Sequence, residues 1–313
     1  MGARKRILAV AVLYKRTAEQ SQSVAALRRL LVEGRIGAET LDLMICDNSP
    51  YEQPAPAWIA GGYVRDVTNP GLARCYNQAL RRAVEKGVAW LMLLDQDTTV
   101  TEEYLHEVLE TAEAIETGEA LGAAEALGRD QGVVAMVPKL IQGGVICSPI
   151  QPPRYGPARA VRAEYQGVAG GSLHAFNSGA VIRVSAIREI GGFPEEFPLD
   201  YLDHATFTGL QRRGGKLLVL RSELEHELSS NDQTGNDQAG KDQAGNDQRG
   251  EHAISVQRQA SVLDAEYRFY ARYGSGAERR MWRFRLLRAV LGRVLRGKNG
   301  GQSWRMLKSA MRR

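Results

Sequence analysis

The run Val88 to Leu94 is apolar throughout and stops on Asp95-Gln96-Asp97. A short apolar segment with Gly87 before it and carboxylates after it reads as a strand buried on both faces. Ile7 to Leu13 reads likewise as a strand buried on both faces, and Leu41 to Cys46 as the second strand, which ends on Asp47-Asn48-Ser49-Pro50. Helical patterns separate these strands. Thr17 offers an N-cap, with Gln20 completing a capping box. Val24, Leu27, Leu30 and Leu31 then share one face, and Gly34 can end that helix. After the turn Asn69-Pro70-Gly71, residues Leu72, Tyr76, Leu80 and Ala83 recur at helical spacing until Gly87. Apolar strands alternating with helices point to a parallel α/β sheet, because parallel strands need a crossover connection. Ligands of such sheets bind beyond the carboxyl ends of the strands. Asp47, Asp95 and Asp97 fall at those ends.

Val133 to Ile141 and Ser178 to Val184 read as further strands, and residues 119–128 as an Ala/Glu-rich surface segment. Residues 231–250 are four five-residue units, NDQTG, NDQAG, KDQAG and NDQRG. Polar units with glycine every fifth residue cannot bury a core, so this segment is expected to be a disordered loop. Its Asp spacing matches neither the EF-hand loop nor the calcium-binding nonapeptide repeat. The expected organisation is a catalytic domain over 1–230, the repeat loop over 231–250, a helical completion over 251–278 and a tail over 279–313.

The 313 residues are 43% apolar, enough for one substantial core. The net charge of +5 hides an asymmetry. Residues 279–313 hold 12 Lys/Arg and no Asp/Glu, leaving 29 basic against 36 acidic residues elsewhere. Within the tail, Met281, Phe284, Leu287, Leu291, Val294 and Leu295 recur every three or four residues. Residues 279–297 therefore read as an amphipathic helix suited to an anionic membrane surface, with Trp282 at the interface. Nucleic acid is the other anionic partner to weigh, but no recognition fold accompanies the basic residues. No stretch approaches the roughly 18 apolar residues that cross a bilayer. Ile7 to Leu13 lacks the cleavage site of a signal peptide. Cys46, Cys75 and Cys147 are odd in number and form no CxxC pair, which fits a reducing cytoplasm. The expected location is cytoplasmic, peripheral on the inner face of the membrane.

Two carboxylates on alternate residues at a strand end, Asp95 and Asp97, can share a hard cation such as Mg²⁺ or Mn²⁺. A polar turn with a helix cap is the plainer reading. Asp200 and Asp203 precede a helical pattern with Phe207 and Leu210. Either a cap or a general base fits them. His226 sits in Leu-Glu-His-Glu-Leu-Ser, but position 230 is Ser, so the zinc-protease pattern fails. His106, His174, His204 and His252 have no metal-ligand spacing. GxxxxGK[ST], GxGxxG and GxSxG are absent.

The order of these pieces resembles glycosyltransferase family 2, and especially its rhamnosyltransferase-like branch. The first strand ends at Tyr14. Cys-Asp-Asn-Ser follows at 46–49, then Asn-Pro-Gly-Leu-Ala-Arg-Cys-Tyr-Asn at 69–77 and Leu-Leu-Asp-Gln-Asp-Thr at 93–98. Phe-Asn-Ser-Gly-Ala comes at 176–180, Gly-Gly-Phe-Pro-Glu-Glu-Phe-Pro-Leu-Asp-Tyr-Leu-Asp at 191–203, and His-Glu-Leu-Ser at 226–229. The resemblance implies a GT-A fold, a Rossmann-like nucleotide-sugar-binding sheet with helices on both faces, here followed by a helical basic tail. It implies inverting sugar transfer with Asp203 as catalytic base. Tyr14, Asp47, Arg74, Asn77 and Asp95 become donor-binding candidates, with Asp47 at the nucleobase and Asp95 at the ribose. Asp97 would ligate the metal on the diphosphate, with Asp95 and His226 beside it. The family usually carries a second acidic residue two positions after the base. Here that position is Ala205, with His204 between.

The expected activity moves a sugar, rhamnose being the one the resemblance suggests, from a nucleoside-diphosphate sugar to a growing surface polysaccharide or lipid-linked glycan. A non-catalytic nucleotide-sugar-binding or scaffold protein of the same fold is the alternative.

Overall fold

The computed structural model describes residues 6–37, 39–59, 62–118, 132–152, 158–226 and 256–295. The expected repeat loop at 231–250, the Ala/Glu-rich segment at 119–128 and residues 296–313 lie outside them. The chain divides into two units, Met1–Lys241 and Asp242–Arg313.

The first unit is built on a mixed, mostly parallel sheet flanked by helices, as the alternation of strand and helix predicts. Strands β1 (Ile7–Leu13), β2 (Leu41–Asp47), β3 (Tyr63–Arg65) and β4 (Trp90–Asp95) run parallel in the spatial order β3-β2-β1-β4. The sheet continues through β10 (Val181–Arg183), β5 (Val133–Gln142) and β11 (Lys216–Glu225) to β9 (Gly167–Val168). Here β10 is antiparallel to both its neighbours, while β11 is parallel to β5. A short β6 (Val145–Ser148) pairs with β5, and β7 (Ile150–Gln151) forms a separate ribbon with β8 (Arg159–Ala160).

All seven residues of β1 are buried, which requires cover on both faces. Side chains alternate across a strand. Ile7, Ala9, Ala11 and Leu13 accordingly join one cluster with Trp90, Met92 and Leu94. Helix α1 (Gln22–Val32) adds Val24, Leu27 and Leu30 to it, and α3 (Glu102–Thr117) adds Tyr104, Leu105 and Val108. On the opposite face, α2 (Leu72–Lys86) packs on β1 and β4 through its buried Tyr76, Ala79 and Ala83. The short α4 (Val184–Glu189) and α5 (Leu202–Arg212) lie against β10 and β11.

Gly87 ends α2 as its αL cap, as expected. The start of α1 differs from expectation. Ser21 is its N-cap, accepting from Val24 N at 3.4 Å. Thr17 and Gln20 do pair, through Thr17 N to Gln20 Oε1 at 3.0 Å, but as a turn before the helix. The pairing chemistry was legible, while its place relative to the helix start was not, because Ser21 offers a competing oxygen.

The second unit holds α6 (Val256–Tyr273) and α7 (Gly276–Leu295). Thus α7 begins three residues before the predicted tail helix. Trp282, expected at a membrane interface, is buried at 6% exposure instead. Its ring lies 5.5 Å from Tyr267 and 6.4 Å from Tyr270 of α6. An indole that finds aromatic partners across a helix pair gains more there than at a solvated surface. Phe284 and Leu287 stay exposed, at 61% and 41%. No described helix is long and apolar enough to cross a membrane.

Candidate active site

Strand register gathers the site at one edge of the sheet. Leu13 pairs with Asp47, and Val12 pairs with both Cys46 and Asp95, so the carboxyl ends of β1, β2 and β4 lie side by side. Chain continuity then places Tyr14, Asp47 and the Asp95–Asp97 turn on that edge.

His226 reaches the same edge by a longer route. The pairing of β11 with β5 is irregular between Val219 and Glu223. A bulge there leaves backbone N–H groups without strand partners. Glu107 of α3 accepts two of them, Arg221 N at 2.8 Å and Ser222 N at 2.9 Å. The strand then rejoins β5 through Glu225↔Ile141, and His226 N donates to Ile141 O at 3.0 Å. His226 forms a bridge with Thr98, one residue past Asp97.

Asp95, Asp97 and His226 consequently present ligand atoms within 4.8 Å of one another. His226 Nδ1 also lies 3.3 Å from Thr98 Oγ1, and Thr98 is hydrogen-bonded to Ser178 Oγ. Thr98 and Ser178 are both buried. These two hydroxyls orient the histidine and carry no motif of their own beyond lying inside the two quoted runs. The carboxylates are partly exposed and the imidazole is buried. Oxygen donors joined by one nitrogen suit a divalent cation that keeps positions open for further oxygens. These residues therefore fit a metal of the Mg²⁺ or Mn²⁺ kind.

Gln96 has a structural task between the two carboxylates. Its Oε1 accepts from Tyr14 N at 2.9 Å, and its carbonyl accepts from Gln22 N and from Ser21 Oγ. It thereby ties β4 to the end of β1 and the start of α1. The Tyr14 ring is 41% exposed with Lys15 Nζ 5.0 Å above it.

Asp47 is fully buried. Its Oδ1 accepts from Ser49 N at 2.9 Å and Gln53 Nε2 at 3.1 Å, and its Oδ2 accepts from Tyr63 OH at 2.6 Å. Burial and that bond push the Tyr63 hydroxyl pKa up. Any ligand reaching Asp47 must replace one of these donors. No sequence signal marks Gln53 or Tyr63, which lie six and sixteen residues away with no periodic relation.

Arg74 and Asn77 converge on the loop that precedes α5. Asn77 Nδ2 donates to Phe193 O at 2.9 Å and its Oδ1 accepts from Phe193 N at 2.8 Å. Nδ2 also lies 3.1 Å from Glu195 Oε1, and Arg74 Nε is 3.9 Å from Glu195 Oε2. Asn77 therefore clamps a backbone segment with both ends of its amide. Gly71 opens α2 with φ +86°, and a Cβ there would lie 2.4 Å from Pro198 O. Only glycine permits that conformation and that approach. The approach lets Leu72 N donate to Pro198 O at 2.7 Å.

Asp203 lies in the first turn of α5, partly buried. Its Oδ1 accepts from His204 N at 2.7 Å and from His204 Nδ1 at 2.8 Å. Burial alone pushes the Asp203 carboxyl up. The charge on His204, its two hydrogen bonds and the more distant His174 outweigh that, holding the group below its ordinary value. Asp203 and Asp95 both act on the hydroxyl of Tyr76, which is wholly buried and has no hydrogen-bond partner. Burial first, then Asp95, Cys75, Cys46 and Asp203 in that order, push its pKa up and keep it protonated.

No family model matches the chain, and no curated protein matches it. Solved structures match at low identity. Crystalline S. aureus TarS is 11% identical with a TM-score of 0.48, over 85% of this chain and 43% of that one. The chain therefore spans less than half the length of that protein. The 1–349 form of TarS in complex with UDP-GlcNAc gives 11% and 0.46, over 98% and 92% of the two chains. CMP:2-keto-3-deoxy-manno-octonic acid synthetase complexed with CTP gives 9% and 0.35, over 71% and 90%. Likeness this remote assigns neither substrate nor activity.

Proposed function

We propose that the chain is an inverting, metal-dependent glycosyltransferase using a nucleoside-diphosphate sugar. The observation that carries this reading is the meeting of Asp95, Asp97 and His226 at the carboxyl edge of the sheet. Asp97, Asp95 and His226 would hold the cation. The imidazole favours Mn²⁺ over Mg²⁺, since nitrogen donors suit transition ions better. When bound, such a cation offsets charge on a diphosphate leaving group.

The chain's own residues would do the rest. Tyr14, Asp47 and Arg74 line the route for nucleoside and phosphate, while Asn77 holds the neighbouring loop. Asp203 takes the proton of the acceptor hydroxyl. The acceptor oxygen bonds to the anomeric carbon, and the bond to the diphosphate breaks with its electron pair leaving on the diphosphate. One displacement needs one base and no covalent partner, unlike retaining glycoside hydrolysis.

Rhamnose as the sugar, and a surface polysaccharide or lipid-linked glycan as the acceptor, rest on the family resemblance. Exposed Phe284 and Leu287 beside Arg283, Arg285 and Arg288 support a peripheral site on the inner face of a membrane. The test is a thermal-shift screen of nucleotide sugars with and without Mn²⁺, because a ligand raises apparent stability by mass action. A Mn²⁺-dependent rise with nucleoside-diphosphate sugars supports the reading, and no response to any nucleotide overturns it. Release of free sugar separates an enzyme from a non-catalytic binding module.

A further inference from the structure

Asp203 has one oxygen engaged and one free. Both bonds from His204 go to Oδ1. Among the described residues none reaches Oδ2, and the side chain is 19% exposed. An ionised carboxylate only accepts, so His204 Nδ1 carries the hydrogen. The imidazole is itself fixed. Its ring lies 4.7 Å from the His174 ring, edge to face, and 4.9 Å from the Tyr201 ring. His174 Nε2 is in turn 3.3 Å from Thr208 Oγ1, one turn further along α5. Tyr201 holds a left-handed backbone at φ +62°. Such strain in a non-glycine residue persists only where the surroundings impose it, and it clusters at functional sites.

From this arrangement we infer that His204 is a positioning residue for Asp203, occupying Oδ1 so that Oδ2 faces the incoming hydroxyl and takes its proton. This rests on the reading of Asp203 as the base. Ala205 is buried, so no polar group stands at the next position. The imidazole one residue earlier supplies the polar partner from inside the same helical turn. The titratable groups acting on Asp203 are His204 on α5, His174 on the segment before β10, and Tyr76 on α2.

The sign of the pH effect follows. His204 lowers the Asp203 pKa. Removing the imidazole must raise it, and the acid limb of a reaction needing the ionised carboxylate must move to higher pH.

The test uses the full chain labelled with carboxyl-¹³C aspartate, with the Asp203 signal assigned by its loss in Asp203→Asn. The Asp203 titration midpoint is expected to rise in His204→Ala. His204→Gln, whose amide can still donate but carries no charge, is expected between that variant and the parent. Hydrolysis of UDP-GlcNAc and of dTDP-rhamnose with Mn²⁺ is followed against pH in parallel. The His204→Ala rate should fall by up to about 100-fold, the size of loss a misplaced reacting group brings. Its acid limb should move upward while nucleotide affinity holds. An unchanged midpoint and an unchanged rate in both His204 variants overturn the inference. Full activity in Asp203→Asn instead overturns the assignment of the base, whatever the titration shows.

Discussion

His226 Nδ1 lies 3.8 Å from Asp97 Oδ1, although the two residues close different strands far apart in the chain. The bulge in β11 and the bridge to Thr98 deliver the imidazole to that point. The proposed shared cation would use this approach of an imidazole to a carboxylate pair.

Removing either partner should therefore remove metal binding and spare the fold. Asp97→Ala and His226→Ala are expected to abolish the Mn²⁺ dependence of nucleoside-diphosphate binding in titration calorimetry. Melting without metal should shift little in Asp97→Ala, because Asp97 is partly exposed, and more in His226→Ala, because the imidazole is buried. Equal affinity with and without EDTA in the parent chain would refute a metal-linked site.

Asp203→Asn keeps shape and hydrogen-bonding capacity and removes basicity. Donor affinity is expected to survive while turnover drops by at least about 10²-fold. In the parent chain Asp203 is held below its ordinary value. Its acid limb is thus expected below the ordinary aspartate range. A limb centred near pH 6 would point to a histidine instead. Near-normal turnover in the Asn variant would transfer the role to Asp200.

Gly71→Ala places a methyl group 2.4 Å from Pro198 O in a residue at φ +86°. A strained left-handed residue costs about 1–3 kcal/mol, and displacement of Pro198 adds to that. Urea unfolding should show a loss of at least this size. The apparent affinity for any donor should weaken as well, because Arg74 and Asn77 follow within two turns. Wild-type stability in this variant would mean that the close approach is absent in solution.

The tail offers a separate test. Phe284 and Leu287 are exposed on α7 while Trp282 is buried. Phe284→Ser with Leu287→Ser should reduce flotation with anionic vesicles at low salt and leave the melting temperature unchanged. A chain ending at Ser275 should not float. Equal flotation of all forms would exclude the tail as the anchor.

The sheet was legible because its strands are unusually simple to read. Ile7–Leu13 and Trp90–Leu94 are buried on both faces and end at polar turns, so period and boundary coincide. Asp95 and Asp97 were legible as a shared cation site from their alternate spacing, and the family resemblance set His226 beside them, but nothing in the chain spacing tied His226 to the pair, since a bulge and a bridge bring it there. The engagement of Asp47 with Tyr63 and Gln53, and of Asn77 with Phe193, could not be read at all. Those partners are set by tertiary packing, which leaves no periodic trace. The tail misled for the same reason. Trp282 looks amphipathic by pattern, yet it is used against Tyr267 and Tyr270.

Leu72, Asn77 and Gly71 stitch the first turns of α2 to the segment 193–198 by backbone contacts. The two stretches behave as a single cassette, although more than a hundred residues separate them. Replacing the 191–203 loop with a foreign sequence would leave Asn77 clamping a foreign backbone. A successful graft must carry residues 69–77 with it, and substitutions made in the two stretches one at a time will not add.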